Sequence, residues 1–278
     1  MKRILIPIDF TEVSNFGIDI AKKISKGEAM ELHLLHVVTL PSHVLKDKNG
    51  ELIDDAEFDL TELKSKHSTA VQQMESLKFQ LKDFKLITCV CYGHVNEEVI
   101  KYEQKNSVDL IVMGTHGATG IKEYINGSHA EYVAMHANAP VFTVKCDRSK
   151  MEIKSIAFTN SFNSKEIEFP KIIQDIQESF NASIHLLRVN TSKSFMSDDK
   201  VLENMKYFSE QHHLQHVKYA VINDDDVESG IEKYCMHNSI DVISIGSKQR
   251  TGVNKLINGC VSADLVNHVF KPIITFKN

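Results

Sequence analysis

Residues 101–114 read KYEQKNSVDLIVMG, and residues 233–246 read KYCMHNSIDVISIG. A shift of 132 superimposes them, and in that frame Asp109 meets Asp241, Gly120 meets Gly252, Asn126 meets Asn258, Gly127 meets Gly259 and Pro140 meets Pro272. Upstream, HLLHVVT (33–39) meets HLLRVNT (185–191), now at a shift of 152. Repetition of this kind means one architecture built twice. The change of shift assigns about twenty extra residues to the first copy, most naturally in PSHVLKDKNGELIDDAEFDLTEL (41–63), a charged stretch with an Asn-Gly turn signal. The chain therefore reads as two tandem domains, residues 1–148 and 149–278, joined near CDRSKMEI.

Within each copy strands and helices alternate. RILIPID (3–9) is a continuous apolar run, as expected of a strand covered on both faces. SNFGIDIAKKIS (14–25) follows, with Phe16, Ile20 and Ile24 on one helical stripe. Then come strand ELHLLHVV, a helix around Leu63 to Leu81, strand FKLITCVCY, helix VNEEVIKYEQK, strand DLIVMG, helix HAEYVAMHA and strand PVFTVK. The second copy runs in the same way from IKSIAFTN to PIITFK. This order predicts an α/β fold of two tandem open parallel sheets with helices on both faces. Pro140 and Pro272 suit strand starts, where no ladder donor is needed.

The chain has 278 residues and a formal charge of −5, which argues against a nucleic-acid protein with its basic face. No apolar run reaches the roughly 18 residues of a membrane span, and MKRILIPIDF turns polar too soon for a secretory leader. A cytoplasmic protein is the expectation. The five cysteines, odd in number and irregularly spaced, fit reduced thiols rather than a disulfide framework. Cys89 and Cys91 form a C-x-C in a predicted strand, on one sheet face, read as small buried apolar residues or as a metal pair. His33 and His36, and the group His212, His213 and His216, lack acidic or thiol partners at a recognised ligand spacing, so no metal site is assigned.

The chemistry gathers in MGTHGATGIKEYINGS (113–128). Ligands of open parallel sheets bind beyond the carboxyl ends of the strands, where strand order reverses. Gly114 stands at such an end. From it the spacing is two residues to Gly117 and nine more to Gly127-Ser128. Bare glycines at 114 and 117 would let main-chain N–H groups approach a polyphosphate. Ser128, at the start of the next helix, offers a hydroxyl and free N–H groups to an anion. The same Ser128 with Glu131 also forms a capping box, which needs no ligand. Neither a Walker-type loop nor a G-x-G-x-x-G run is present.

The pattern G-x2-G-x9-G-[ST] after an apolar strand, with an early PID, resembles the universal stress protein family, specifically its ATP-binding branch. The likeness extends over both tandem halves. It implies an open five-stranded, Rossmann-like sheet in each half, of the adenine nucleotide alpha hydrolase type. It also implies ATP or another adenine nucleotide as ligand, with or without magnesium. By the same resemblance Asp9 would accept a hydrogen bond from the adenine or ribose region, and Pro7 and Ile8 would shape the pocket floor. Val37 would meet adenine through its backbone, and Met113 and Gly114 would lie along the nucleoside. Gly117, Gly127 and Ser128 would hold the phosphates, with His116 and Asn126 adjacent. Family members pair through the edge strand after the glycine motif, so VFTVK and IITFK are expected side by side. That pairing would make one chain a built-in dimer, open to further association as a homodimer or with a protein partner.

The second copy is eroded. Gln249 stands for Gly117 and Cys260 for Ser128, while Asn160 aligns with Asp9 and Phe158 with Pro7, placing Phe158 to fill the base pocket. A nucleotide-free second domain is expected. No catalytic residue is assigned, because phosphoryl transfer needs metal carboxylates and a positioned base, which His116, Lys122 and Glu123 do not supply. Two other readings stand beside ATP-dependent regulation with at most slow hydrolysis. One is an interaction protein that binds no nucleotide. The other is an adenylyl-transferring enzyme, whose usual S-G-G-x-D-S loop is replaced here by IDFTEVSNFG.

Overall fold

The computed structural model describes residues 3–25, 30–42, 44–53, 59–114, 129–144, 152–247 and 271–277. It divides into two compact units, Met1–Ala139 and Pro140–Asn278. The first unit contains β1 (Arg3–Pro7), α1 (Glu12–Ile24), β2 (Glu31–Thr39), α2 (Thr61–Gln80), β3 (Lys85–Gly93), α3 (Val95–Asn106), β4 (Leu110–Gly114) and α4 (His129–His136). Its strands lie in the order β3-β2-β1-β4, and the three pairings are all parallel. The apolar run of β1 is buried because strands flank it on both sides and helices cover its faces; Ile4, Leu5 and Ile6 are wholly inaccessible. Helix α1 begins where Thr11 caps it, accepting from the Ser14 N–H, and turns Ile18, Ile20, Ala21 and Ile24 inward.

The second unit contains β5 (Val141–Val144), β6 (Ser155–Thr159), α5 (Lys171–Phe180), β7 (Ser183–Asn190), α6 (Asp198–Gln211), β8 (Val217–Asn223), α7 (Val227–His237), β9 (Val242–Ser247) and β10 (Ile273–Lys277). Its order is β5-β10-β9-β6-β7-β8, parallel except that β5 runs antiparallel to β10. The α/β class expected from the alternation is borne out. The expected neighbours VFTVK and IITFK are also found, with Phe142 opposite Ile274 and Thr143 opposite Ile273. Because of this pairing β5 packs with the second unit, although in the sequence repeat it closes the first copy.

The repeat extends to side chains. Asp109 Oδ2 accepts from the Arg3 N–H at 2.9 Å while its own N–H donates to the Arg3 carbonyl. Asp241 does the same to Ser155 at 3.0 and 3.2 Å. These two aspartates therefore recur for a structural reason: each clasps the start of a central strand. His33 Nδ1 lies 2.9 Å from the Tyr102 hydroxyl, and His185 Nδ1 lies 2.9 Å from that of Tyr234. The insertion folds onto the first sheet through Val44 and Leu60, which pack with Val38, Leu40, Leu63 and Tyr92. Its Asn-Gly turn forms as the sequence predicts: Asp47 Oδ1 accepts from the N–H groups of Asn49 and Glu51, and Gly50 takes φ +89°. Among the described residues no helix is long and apolar enough to cross a membrane.

A pH dependence follows from the buried imidazoles. Burial holds His33, His36 and His185 below the ordinary 6.5. Between about pH 6.5 and their lowered folded values, an unfolded chain takes up protons that the folded one refuses, so stability falls with acid. Further down, Glu31, held to about 2 by hydrogen bonds from Lys85 and then His33, loses its contribution as pH drops below 4.5. Thermal melts should shift to lower temperature as pH falls from about 6.5 to 5.5. A melting temperature that rises over that acid interval would contradict the assignment.

Candidate functional site

The chain leaves β1 towards β2 and β3, then returns to lay β4 on the other side of β1. Strand order thus reverses between β1 and β4, and the crevice at their carboxyl ends is where a ligand of such a sheet belongs. Pro7 ends β1, paired with Leu35, and the Ile8 N–H donates to the Leu35 carbonyl at 2.8 Å. Asp9 comes next and is exposed. Its Oδ1 accepts from the Thr11 N–H at 3.1 Å and from the Thr11 hydroxyl at 2.5 Å. The carboxylate therefore serves the turn that launches α1 through this oxygen. Ile8, Val37 and Met113 are buried side chains.

Gly114 ends β4 beneath the first turn of α1. A Cβ there would lie 2.5 Å from Val13 Cγ1, 3.0 Å from the Val13 carbonyl oxygen and 3.2 Å from its carbon. The glycine is therefore required by helix packing before any ligand is considered, and the close approach brings the end of β4 under the segment that carries Asp9. The expected site residues His116, Gly117, Asn126, Gly127 and Ser128 lie outside the described residues.

Two residues at the crevice were missed in the sequence. His36 donates from Nδ1 to the Ile8 carbonyl at 2.8 Å, and the Phe10 ring lies over it, 4.7 Å between centroids. Phe10 adopts φ +61°, an unusual conformation for a residue with a side chain. Together they fix the path of the chain through Asp9. The signal available in the sequence was the substitution His36 to Arg188 between the two HLL-x stretches.

The second unit corrects the alignment of the first strands. Ile4 pairs with Leu32 and Leu110, whereas Ile156 pairs with Ile184 and Val242, so β6 corresponds to β1 at a shift of 152. Phe162, at φ +46°, takes the place of Phe10. Asp9 therefore corresponds to Ser161 rather than Asn160, and Pro7 to Thr159 rather than Phe158. Phe158 is a core residue in the place of Ile6, stacked on Phe208 at 5.4 Å and Phe276 at 5.8 Å, and plugs no base pocket. What occupies the strand ends here is Arg188, only 2% exposed. Its Nε donates to Asn190 Oδ1 at 2.7 Å, Nη1 to Asn163 Oδ1 at 2.7 Å and to the Ser161 carbonyl, and Nη2 to the Ser194 carbonyl at 2.6 Å. One guanidinium thus ties the loop after β6 to the loop after β7. The first unit has a histidine there and an exposed carboxylate beside it.

Comparison with known proteins gives a consistent picture. A model of the universal stress protein family matches residues 1–145. Universal stress protein MJ0577 of Methanocaldococcus jannaschii is 35% identical over 154 residues, covering 52% of this chain and 94% of that protein. Universal stress protein MJ0531 of the same organism is 32% identical over 146 residues, 52% and 82% of the respective chains. In three dimensions, the crystal structure of a universal stress protein from Archaeoglobus fulgidus shares the fold with a TM-score of 0.73 at 18% identity, over 99% of this chain and 96% of that one.

Proposed function

The chain belongs to the universal stress protein family, and on that premise we propose that it is an ATP-binding regulatory protein whose first half holds the nucleotide. The observation that carries the reading is the placement of Asp9 and Gly114 at adjacent strand ends where strand order reverses, directly before the G-x2-G-x9-G-[ST] run. Asp9 would orient the base or ribose, the backbone at Val37 would face adenine, and Met113 and Gly114 would run along the nucleoside. Gly117, Gly127 and Ser128 would wrap the phosphates, with His116 and Asn126 beside them and magnesium accompanying the triphosphate. The domains are those of the repeat, 1–148 and 149–278, with the second half free of nucleotide. Arg188 supports this, since its side chain binds the loops that a ligand would have to part. Hydrolysis, if present, is slow. Nucleotide occupancy would be read by a protein partner or a second copy of the chain, in the cytoplasm.

Calorimetric titration with ATP should give one site per chain. Gly117→Gln, which installs the residue of the second copy, should weaken binding by at least about tenfold, or 1.4 kcal/mol. Two equivalent sites, or an unchanged affinity in the variant, would remove the reading. One observation favours the alternative of an interaction protein without nucleotide: Gly114 is accounted for by its contact with Val13 alone. Absence of heat with any adenine nucleotide would select it.

A further inference from the structure

β3 is an edge strand: it pairs with β2 on one side, and among the described residues no strand lies on the other. An open edge is a row of main-chain donors and acceptors that another strand can join. Along a parallel strand these groups point alternately to one side and the other. The Leu40 N–H donates to the Gly93 carbonyl at 3.3 Å, so Gly93, Cys91, Cys89 and Ile87 turn their main chain toward β2. Leu86, Thr88 and Val90 turn theirs outward. The next outward carbonyl, that of Tyr92, accepts from Lys46 Nζ at 2.7 Å, so the insertion closes this end of the edge. At the other end the Phe84 N–H turns back to the Leu81 carbonyl. Between these ends Leu86, Thr88 and Val90 keep both groups open.

The second unit guards the matching edge. His33 pairs with Ile87 and its counterpart His185 pairs with Lys218, so Ile87 and Lys218 hold one position of the repeat. Lys218 is an exposed charge within β8, a common device against edge pairing. Ile87, 38% exposed, is an apolar side chain at the same place. β3 carries no proline, and its one charged residue is Lys85 at the first position. On the face of Ile87, Cys89 and Cys91 are half-buried rather than enclosed as the sequence suggested.

We propose that β3 is a self-association surface, joined by β3 of a second copy of the chain, antiparallel about a two-fold axis at Thr88. The inference stands apart from the nucleotide reading. The strand is complementary to itself in this register. Thr88 meets Thr88 of the second copy and Leu86 meets its Val90, so the three open residues exchange their N–H and C=O groups in pairs. Side chains agree on both faces. Ile87 falls opposite Cys89 of the second copy, in the kind of pair whose side chains approach most closely. The two Thr88 hydroxyls meet on the other face, a favourable cross-strand pair. Lys85 falls opposite Cys91 of the second copy, on the face where Glu98 stands: a Cβ on Gly93 would lie 2.7 Å from Glu98 Cγ. Opposite charges are thus brought together at both ends, and no like charges are opposed. The same operation on β8 would set Lys218 opposite Ala220 in both copies and crowd two ammonium groups around the axis.

A strand pair covers less than the roughly 1,200 Å² of stable complexes, so the dimer is weak and depends on concentration. Sedimentation of the full chain between about 5 and 500 µM should move from monomer to dimer and stop there, because a two-fold contact closes. Ile87→Lys, which installs the residue of β8, and Thr88→Pro should each weaken association by at least about tenfold. The fold tolerates proline at Thr88, whose N–H serves no bond to β2. Hydrogen exchange in the unaltered chain is the second measurement. The amides of Leu86, Thr88 and Val90 should become protected as concentration rises, while those of Ile87, Cys89 and Cys91, bonded to β2, stay protected throughout. A chain that remains monomeric, growth beyond the dimer, or association that neither variant weakens overturns the proposal. So does protection of the outward amides at every concentration, which would mean that another segment of the same chain covers the edge. Should both variants fail to fold, exchange in the unaltered chain decides alone.

Discussion

Gly114→Ala should destabilise the first unit by about 1–3 kcal/mol, the usual cost of forcing an atom into filled space. A new Cβ would meet three atoms of Val13: Cγ1 at 2.5 Å, the carbonyl oxygen at 3.0 Å and the carbonyl carbon at 3.2 Å. The first belongs to a side chain that can be cut back, and the other two belong to the backbone of α1, which cannot yield without moving the helix. Val13→Ala should therefore rescue only part of the loss. A double-mutant cycle followed by denaturant unfolding should show coupling of at least about 0.5 kcal/mol between the two positions. Because the displaced turn lies beside Asp9, ATP affinity should fall in Gly114→Ala and recover in step with stability in the double variant. If Gly114→Ala unfolds like the unaltered chain, the packing account of this glycine fails. If stability recovers but affinity does not, the glycine has a second role at the ligand.

The sequence repeat carried the strand order, because a shift of 132 aligned β4 with β9 and a shift of 152 aligned β2 with β7. It misjudged the first strand of the second copy by one residue. Alternation normally fixes register, since a slip by one turns every side chain to the other face. Here β6 is buried at all five positions, so both registers present an apolar strand and the pattern has nothing to choose between them. Hydrogen bonding makes the choice instead, through Asp241 at the start of the strand and the Asn160 N–H to Leu187 carbonyl bond at its end.

Arg188 was illegible for a different reason. Arginines are seldom fully buried, and those that are usually face a carboxylate. This one is satisfied instead by neutral acceptors, the main-chain carbonyls of Ser161 and Ser194 and the amide oxygens of Asn163 and Asn190, which no sequence pattern announces. The position of β5 was legible only through the family resemblance, which supplied the pairing with β10. Composition and periodicity gave two equal copies and no reason for one strand to side with the other.

Asp9 allows its two tasks to be separated. As a turn residue it accepts from the Thr11 N–H and hydroxyl through a single oxygen, Oδ1. An amide oxygen can accept in the same way, and the chain contains the demonstration: Asn160 Oδ1 accepts from the Phe162 N–H, also two residues on, at 3.1 Å. Asp9→Asn should therefore fold with nearly unchanged stability, whereas Asp9→Ala should lose about 1 kcal/mol with the turn. As the proposed ligand anchor, by contrast, the residue would act through its charge and its second oxygen, both of which asparagine lacks: the amide presents N–H donors where the carboxylate presented an acceptor. Both variants should then lose ATP affinity, by about tenfold to a hundredfold, or 1.4 to 2.8 kcal/mol, the range of a charge-assisted hydrogen bond. The measurement is a titration of each variant beside its unfolding curve. An Asp9→Asn chain that is as stable as the original and binds ATP as tightly would leave the carboxylate with nothing but the turn to hold, and the adenine site would lose its anchor.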